Sequence, residues 1–316
     1  MNRIPFERAD FDELAEVWSS FYPTRFHVSA EMLRKNTVEC AVFDWGASSI
    51  LEQDGRVIGF VAIKKSANPV LFHGPDKDQA HICALAFDDP ATGCDLLAYS
   101  KAVLRDRGVL KLVFGQDSRH FFPGCPTDFP KLGSFLTVQG FEEGSLQVDL
   151  ERDLIDYEPP TGSLDDLKGA EIRSCRPDDV PALEEFLQRT FPGRWTFDTL
   201  HKVDQEGNPS FVMGLFRDGA CEGFALTQRD GCHLPIGGAV WHKDLGHSWG
   251  SLGPIGVSTR VRGTGLGGAL LAYGLKTLHE AGARRSIIDW TTLVEFYGKH
   301  GFEPTREYRT CALSLE

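Results

Sequence analysis

No two of the eight cysteines, at 40, 83, 94, 125, 175, 221, 232 and 311, form a CxxC pair, which argues against a compact zinc site. Most lie in apolar, strand-like stretches and read as reduced, buried thiols. Long apolar runs are also missing: no stretch approaches the roughly 20 residues needed to cross a bilayer. The opening MNRIPFERAD is polar and lacks the apolar middle of a secretory leader. A soluble, cytoplasmic protein is expected. Basic residues are few, 33 Lys and Arg against 45 Asp and Glu, for a formal charge of -12 at pH 7. That balance opposes non-specific binding to nucleic acid or an anionic membrane, so neither is expected as a partner. A neutral or cationic small molecule is the easier partner. What the chain has is length: 316 residues with 41% hydrophobic content can build two cores.

The two halves resemble each other. Tyr22-Pro23-x-Arg25-Phe26 matches Phe191-Pro192-x-Arg194-Trp195, and Asp54-Gly55 through Gly59-Phe60 matches Asp218-Gly219 through Gly223-Phe224. Both Asp-Gly pairs read as hairpin turns. Leu96-Leu97-Ala98-Tyr99 matches Leu270-Leu271-Ala272-Tyr273, and Gly140-Phe141 matches Gly301-Phe302. Four blocks in the same order imply two domains of similar fold. Tyr157-Glu158-Pro159-Pro160-Thr161-Gly162-Ser163 carries turn residues and little apolar pattern, which predicts domains at 1–155 and 170–316 joined by a linker at 156–169. Within each copy the order is strand and helices, an antiparallel meander, then alternating strands and helices. That order predicts an α/β (α+β) fold with a mixed central sheet flanked by helices.

In the second copy, Arg260-Val261-Arg262-Gly263-Thr264-Gly265-Leu266-Gly267-Gly268 lies between a strand and a helix. Glycines let the backbone approach a ligand, and the amides opening the helix attract an anion, with Arg262 beside them. The turn reads as a pyrophosphate cradle. Gly263, Gly265 and Gly268 also spell GxGxxG, but the acidic residue a Rossmann dinucleotide site wants is out of place: Glu280 falls within the helix and Asp289 stands 26 residues beyond Gly263. No GK[ST] ending supports a P-loop.

Arg262-x-x-Gly265-x-Gly267, preceded by Ile255-Gly256-Val257 and followed by Phe296-Tyr297-x-x-x-Gly301-Phe302, resembles the acyl-coenzyme A signature of the GCN5-related N-acetyltransferase (GNAT) superfamily. The resemblance implies two tandem acyl-CoA N-acyltransferase-like domains. It implies acetyl-CoA as co-substrate, in a splay between the strands at 252–257 and 286–290. Backbone groups near Val257 and Thr259 would contact the pantetheine arm. Arg262 and the amides of Gly263, Thr264, Gly265, Leu266, Gly267 and Gly268 would hold the pyrophosphate. Tyr297 would stand near the departing sulfur as proton donor. Trp290 and Leu293 depart from the pattern, which commonly has Asn and a small residue there.

Transfer to an amine also needs a base, and the strand at 249–257 has no carboxylate. His233, His242, Asp244, His247 and Asp289 remain open, with His247 the choice made from sequence. The expected function is an N-acetyltransferase acting on a small cationic primary amine, a peptide amine being possible. Two other readings stay open: a non-catalytic acyl-CoA-binding regulatory protein and a dinucleotide-dependent oxidoreductase.

The first copy provides an internal control. Asp88, Asp89, Ala91 and Gly93 fall opposite Arg262, Gly263, Gly265 and Gly267, and Leu136 falls opposite Tyr297. Carboxylates at the turn predict lost CoA binding. The first copy also carries extra residues, largely 115–126, expected to cover the vacant cleft, to serve the acceptor site, or to be a structural loop.

Overall fold

The structure is a computed structural model that describes residues 1–65 and 77–316. Its contacts divide the chain into two units, Met1–Gln147 with Glu307–Glu316, and Val148–Arg306.

In chain order the first unit has β1 (Asn2–Ile4), α1 (Phe11–Phe21), α2 (Ala30–Asn36), β2 (Ser49–Gln53), β3 (Arg56–Lys64), β4 (Gln79–Phe87), α3 (Pro90–Asp106), β5 (Lys111–Phe114), β6 (Cys125–Pro126), α4 (Pro130–Val138) and the start of β7 (Glu142–Asp153). The second continues from the end of β7 through β8 (Glu171–Ser174), α5 (Val180–Thr190), α6 (Arg194–Glu206), β9 (Val212–Arg217), β10 (Ala220–Arg229), α7 (His242–Leu245), β11 (Trp249–Val257), α8 (Leu266–Glu280), β12 (Arg285–Thr291), α9 (Val294–Gly298) and the start of β13 (Glu303–Ser314).

The internal repeat is visible in the backbone. Asp54-Gly55 and Asp218-Gly219 close the β2–β3 and β9–β10 hairpins with almost the same left-handed angles, φ 53 and 78 against φ 50 and 78. Two successive positive φ values suit the strand twist, and Asp-Gly tolerates them. Each sheet is antiparallel up to one parallel ladder: Gln79–Ile82 beside Lys111–Phe114 in the first unit, Trp249–Ser251 beside Arg285–Ile287 in the second. The mixed sheets flanked by helices are those expected. They do not suit a dinucleotide-binding fold: β10 runs antiparallel to β11, and the last residues of β7 run antiparallel to β12.

The domain boundaries differ from the linear division predicted. Residues 311–314 of β13 pair with β5 in the first unit, and residues 148–153 of β7 pair with β12 in the second. Each sheet is thus closed by a strand from beyond the expected boundary. The segment expected to be a linker packs instead: Tyr157 is buried with Leu150 and Leu154, and Leu164 and Leu167 lie against the same core.

The sheet of the second unit has an apolar core on each face. Leu252, Leu270, Leu271, Leu275 and Ile288 share the α8 face, while Leu183, Phe186, Leu187, Phe224 and Ile236 share the face of α5. Alternation along each strand therefore decides which face a site residue serves. Among the described residues, no helix is long and apolar enough to cross a membrane, and no group of three or more His, Cys, Asp or Glu could hold a metal. Of the eight cysteines, Cys94 and Cys232 are partly exposed and the other six are buried.

Candidate active site

The β11–β12 ladder ends at Ser251 and Ile287, yet β11 continues to Val257 and β12 to Thr291. Two irregularities pull the strands apart. On β11, Thr227 pairs with Leu252 but Ala225 pairs with Ile255, leaving one unmatched residue on β11. On β12, Ile288 pairs with Leu150 but Thr291 pairs with Val148, and Trp290 takes φ 46 within that bulge. A bulge bends its strand and re-aims the side chains beside it. The Asp149 carboxylate holds this one by accepting the Trp290 amide at 3.0 Å.

On the α8 face a cleft of about 410 Å³ opens at this splay, lined by Ile255, Gly256, Val257, Val261, Arg262, Gly263, Gly265, Gly267, Gly268, Leu293, Phe296 and Tyr297. The structure thus brings together Val257, Arg262, four glycines of the turn and Tyr297. Thr259, Thr264 and Leu266 do not line it: Thr259 is exposed, the Thr264 hydroxyl donates to the Val261 carbonyl at 2.7 Å, and Leu266 is buried in the core.

The turn suits an extended anionic ligand. Gly265 precedes α8 at φ 92, a left-handed conformation that favours glycine, and no side chain caps the helix. A Cβ at Gly263 or Gly265 would meet nothing within 4 Å, so the first-turn amides have open space before them. Glu222, unnoticed in the sequence, anchors the lead-in: it accepts from the Ser258 hydroxyl and pairs with Arg260, while the Arg262 Nε lies 3.4 Å from the Val257 carbonyl.

Tyr297 is buried at 6% exposure, with the Phe296 ring edge-on at 5.0 Å. Burial, together with the Asp289 carboxylate, pushes its phenol up to about 12, although a hydrogen bond with Thr291 opposes the shift. It remains a protonated donor throughout the neutral range.

The base candidates separate. His247 is exposed in the turn preceding β11, and the run from Trp249 to Ile255 puts about 20 Å of strand between it and the cleft. The order of elements expected from the sequence puts it near the site, but it stands at the far end of β11. His242 packs its ring 5.9 Å from Trp249 at the same end, Asp244 pairs with Arg306, and His233 follows the end of β10 that pairs with Gly250. Asp289 alone lies where the ladder has opened.

The first unit shows how an equivalent splay is closed. At the start of α3 the Asp89 carboxylate accepts from the amides of Ala91 and Thr92 at 2.8 and 3.2 Å, occupying the helix end with the protein's own anion. The Thr92 hydroxyl, which donates to it at 2.9 Å, and then these amide bonds hold Asp89 below the usual carboxylate range. The rings of Phe87 and Phe135 press on the first turn, each 2.8 Å from where a Gly93 Cβ would stand. Beyond the ladder, the Tyr22 hydroxyl donates to the Leu85 carbonyl at 2.9 Å, and Phe122 lies among Trp18, Tyr22, Phe26 and Phe114. The additional segment 115–126 supplies Phe121, Phe122 and the buried Asp117 to this interior. It therefore fills space rather than forming an exposed loop.

Residues 180–302 match the Acetyltransferase (GNAT) family. A mycothiol acetyltransferase of Acidothermus cellulolyticus is 33% identical over 150 residues, and the match covers 44% of each chain. The chain thus spans less than half the length of that relative. Among solved structures, a GCN5-related glucosamine N-acetyltransferase region of a fungal multi-domain β-N-acetylglucosaminidase superposes with TM-score 0.84 at 20% identity, covering 99% of this chain and 38% of that one. A GCN5-related N-acetyltransferase from Sphaerobacter thermophilus superposes with TM-score 0.71 at 15% identity, covering 100% and 96%. Residues 180–302 are thus similar to the GNAT family, and the chain as a whole shares the fold of these GCN5-related N-acetyltransferase structures.

Proposed function

We propose that the second unit transfers an acetyl group from acetyl-CoA to a primary amine on a small cationic molecule. The observation that carries this reading is the coincidence of three features at one place. A parallel ladder opens, an uncapped glycine-lined helix start faces the opening, and a buried phenol stands at its edge. Val257 and Ile255 would line the pantetheine path, Arg262 and the α8 amides would take the phosphates, and Tyr297 would donate its proton toward the sulfur as the thioester carbon–sulfur bond breaks. Attack at a fixed distance by a bound amine supplies the remainder of the rate. The first unit, its helix end already capped by Asp89, serves as scaffold or as an aid to acceptor binding.

The test is calorimetric titration with acetyl-CoA, free CoA and NAD, followed by turnover on an amine panel in which thiol release and acetylated product are both measured. Glucosamine belongs in the panel because the fungal region of similar fold is described as acting on it. Acetyl-CoA and CoA should bind and NAD should not. Arg262→Ala should weaken acetyl-CoA binding by about three- to tenfold, the scale of one exposed charge-assisted contact. Preference for NAD, or unaltered affinity in Arg262→Ala, would count against the phosphate assignment.

A further inference from the structure

We propose that Cys125 and Cys311 form a reversible disulfide on exposure to a hydroperoxide, a latch that fastens β13 to the additional segment 115–126. Both belong to the first unit, and neither has a part in the proposed acyl transfer.

Strand pairing brings the two sulfurs together from distant parts of the chain. Cys311 pairs with Phe114 on β5, and a little earlier along β13 Arg309 pairs with Cys125 and Tyr308 with Pro126, all antiparallel. Residues opposite each other in a ladder point to the same face, and so do residues two apart on one strand. Cys125, Arg309 and Cys311 therefore share a face, the cysteines lying diagonally across the pair of strands. Gly124 lets the segment come close: a Cβ there would stand 2.3 Å from the Arg309 carbonyl oxygen and 2.9 Å from the Thr310 amide nitrogen. The Cys311 thiol lies 3.3 Å from that same carbonyl oxygen, and its sulfur accepts from the Cys125 thiol and backbone amide. Sulfurs already in hydrogen-bond contact need only side-chain rotation to close to the roughly 2 Å of a disulfide.

A route for the oxidant is present. Both thiols are buried, at 4% and 2% exposure, but Cys125 lines a cavity of about 550 Å³ together with Phe129, Gly133, Ser134, Thr137 and Arg309. A Cβ on Gly133 would already touch the Cys125 sulfur at 3.8 Å, so the glycine leaves that side of the thiol to the cavity. Such a passage suits a small uncharged oxidant such as hydrogen peroxide. The bond from the Cys125 thiol holds Cys311 below the ordinary thiol range although burial opposes it, while that bond and burial hold Cys125 above the range. Cys311 is thus the sulfur that ionises more readily, and the thiolate is the form a peroxide oxidises.

Atoms and electrons balance. The Cys311 thiolate attacks a peroxide oxygen, the oxygen–oxygen bond breaks, and the departing hydroxide takes the proton Cys311 gave up and leaves as water. The resulting sulfenic acid is attacked at sulfur by Cys125, whose proton departs with the sulfenic oxygen as a second water. Two thiols become one disulfide, and one hydrogen peroxide is reduced to two waters. The bond would reinforce a strand that meets β5 over four residue pairs and β6 over two.

The experiment treats the full chain with hydrogen peroxide or with dithiothreitol, blocks the remaining thiols, maps the digest by mass spectrometry without reduction, and records a thermal melt of each form. Expected are a linked peptide pair joining Cys125 to Cys311, the loss of two titratable thiols, and a melting temperature raised by roughly 5–10 °C, all reversed by dithiothreitol. Cys311→Ala should leave Cys125 as a blocked thiol and abolish the rise. If that variant fails to fold, the two treatments of the wild type decide alone. A treated wild type with both thiols still free, oxidation confined to the partly exposed Cys94 or Cys232, or a link that leaves the melting temperature unchanged would each overturn the latch.

Discussion

Tyr297→Phe is expected to lower kcat by about 10²- to 10³-fold, within the range of general acid catalysis, while acetyl-CoA affinity stays within about twofold. The substitution removes one oxygen from a buried ring and keeps the edge-on packing against Phe296. What is lost is a donor that burial and Asp289 keep protonated, its phenol held up to about 12. A raised phenol has a clear sign in a pH profile. The donating form is fully present at and below the ordinary tyrosine range and is lost only as pH rises toward 12. Tyr297 should therefore give no alkaline limb below about pH 11, and any limb seen there belongs to another group. An unchanged rate in the variant would remove Tyr297 from the donor role.

Lys64→Met is expected to cost the first unit about 3–5 kcal/mol, the scale for breaking a buried ion pair. Lys64 and Asp117 are both fully buried; the ammonium donates to the Asp117 carboxylate and to the Ser118 carbonyl, each at 2.6 Å. Burial opposes the Lys64 charge, but the Asp117 carboxylate outweighs it and holds the ammonium above the ordinary lysine range. Removing the lysine strands a carboxylate whose other oxygen already lacks a partner. Lys64→Met combined with Asp117→Leu should recover most of the loss, because two apolar groups leave no charge buried. Urea unfolding, with hydrogen exchange followed in β3 and β4, reads the difference. A single variant as stable as wild type, or a double variant no better than the single, would refute the account.

What the sequence made legible was local chemistry. The Asp-Gly turns, the glycine-rich helix start and the helix-stopping glycines depend on residues adjacent in the chain, and the backbone carries them at Asp54, Asp218 and Gly265. Asp89 is legible too, as an N-cap residue ahead of a proline at the first helical position, although its place opposite Gly263 suggests only a repelling charge. Partnership between strands was not legible. The alternation in β7 and β13 says that each is a strand, not which sheet each closes, because periodicity carries no record of a distant neighbour. His247 shows the same gap in a single residue. Two positions from the start of β11 in sequence, it is a strand's length from the cleft, whereas Asp289, on a different strand, stands at the opening.

The assignment of Glu307–Glu316 to the first unit bears on how the chain matures. Domains generally fold as units, the N-terminal one first, while synthesis proceeds. Here the open edge of β5 waits for residues 311–314, which are made after the whole of the second unit, so the first unit cannot close its sheet until they emerge. Until then that edge is a template for another chain's strand. Nascent protein stalled or truncated short of Glu307 would be the aggregation-prone species, and cutting the gene at the apparent midpoint would leave each half without its closing strand.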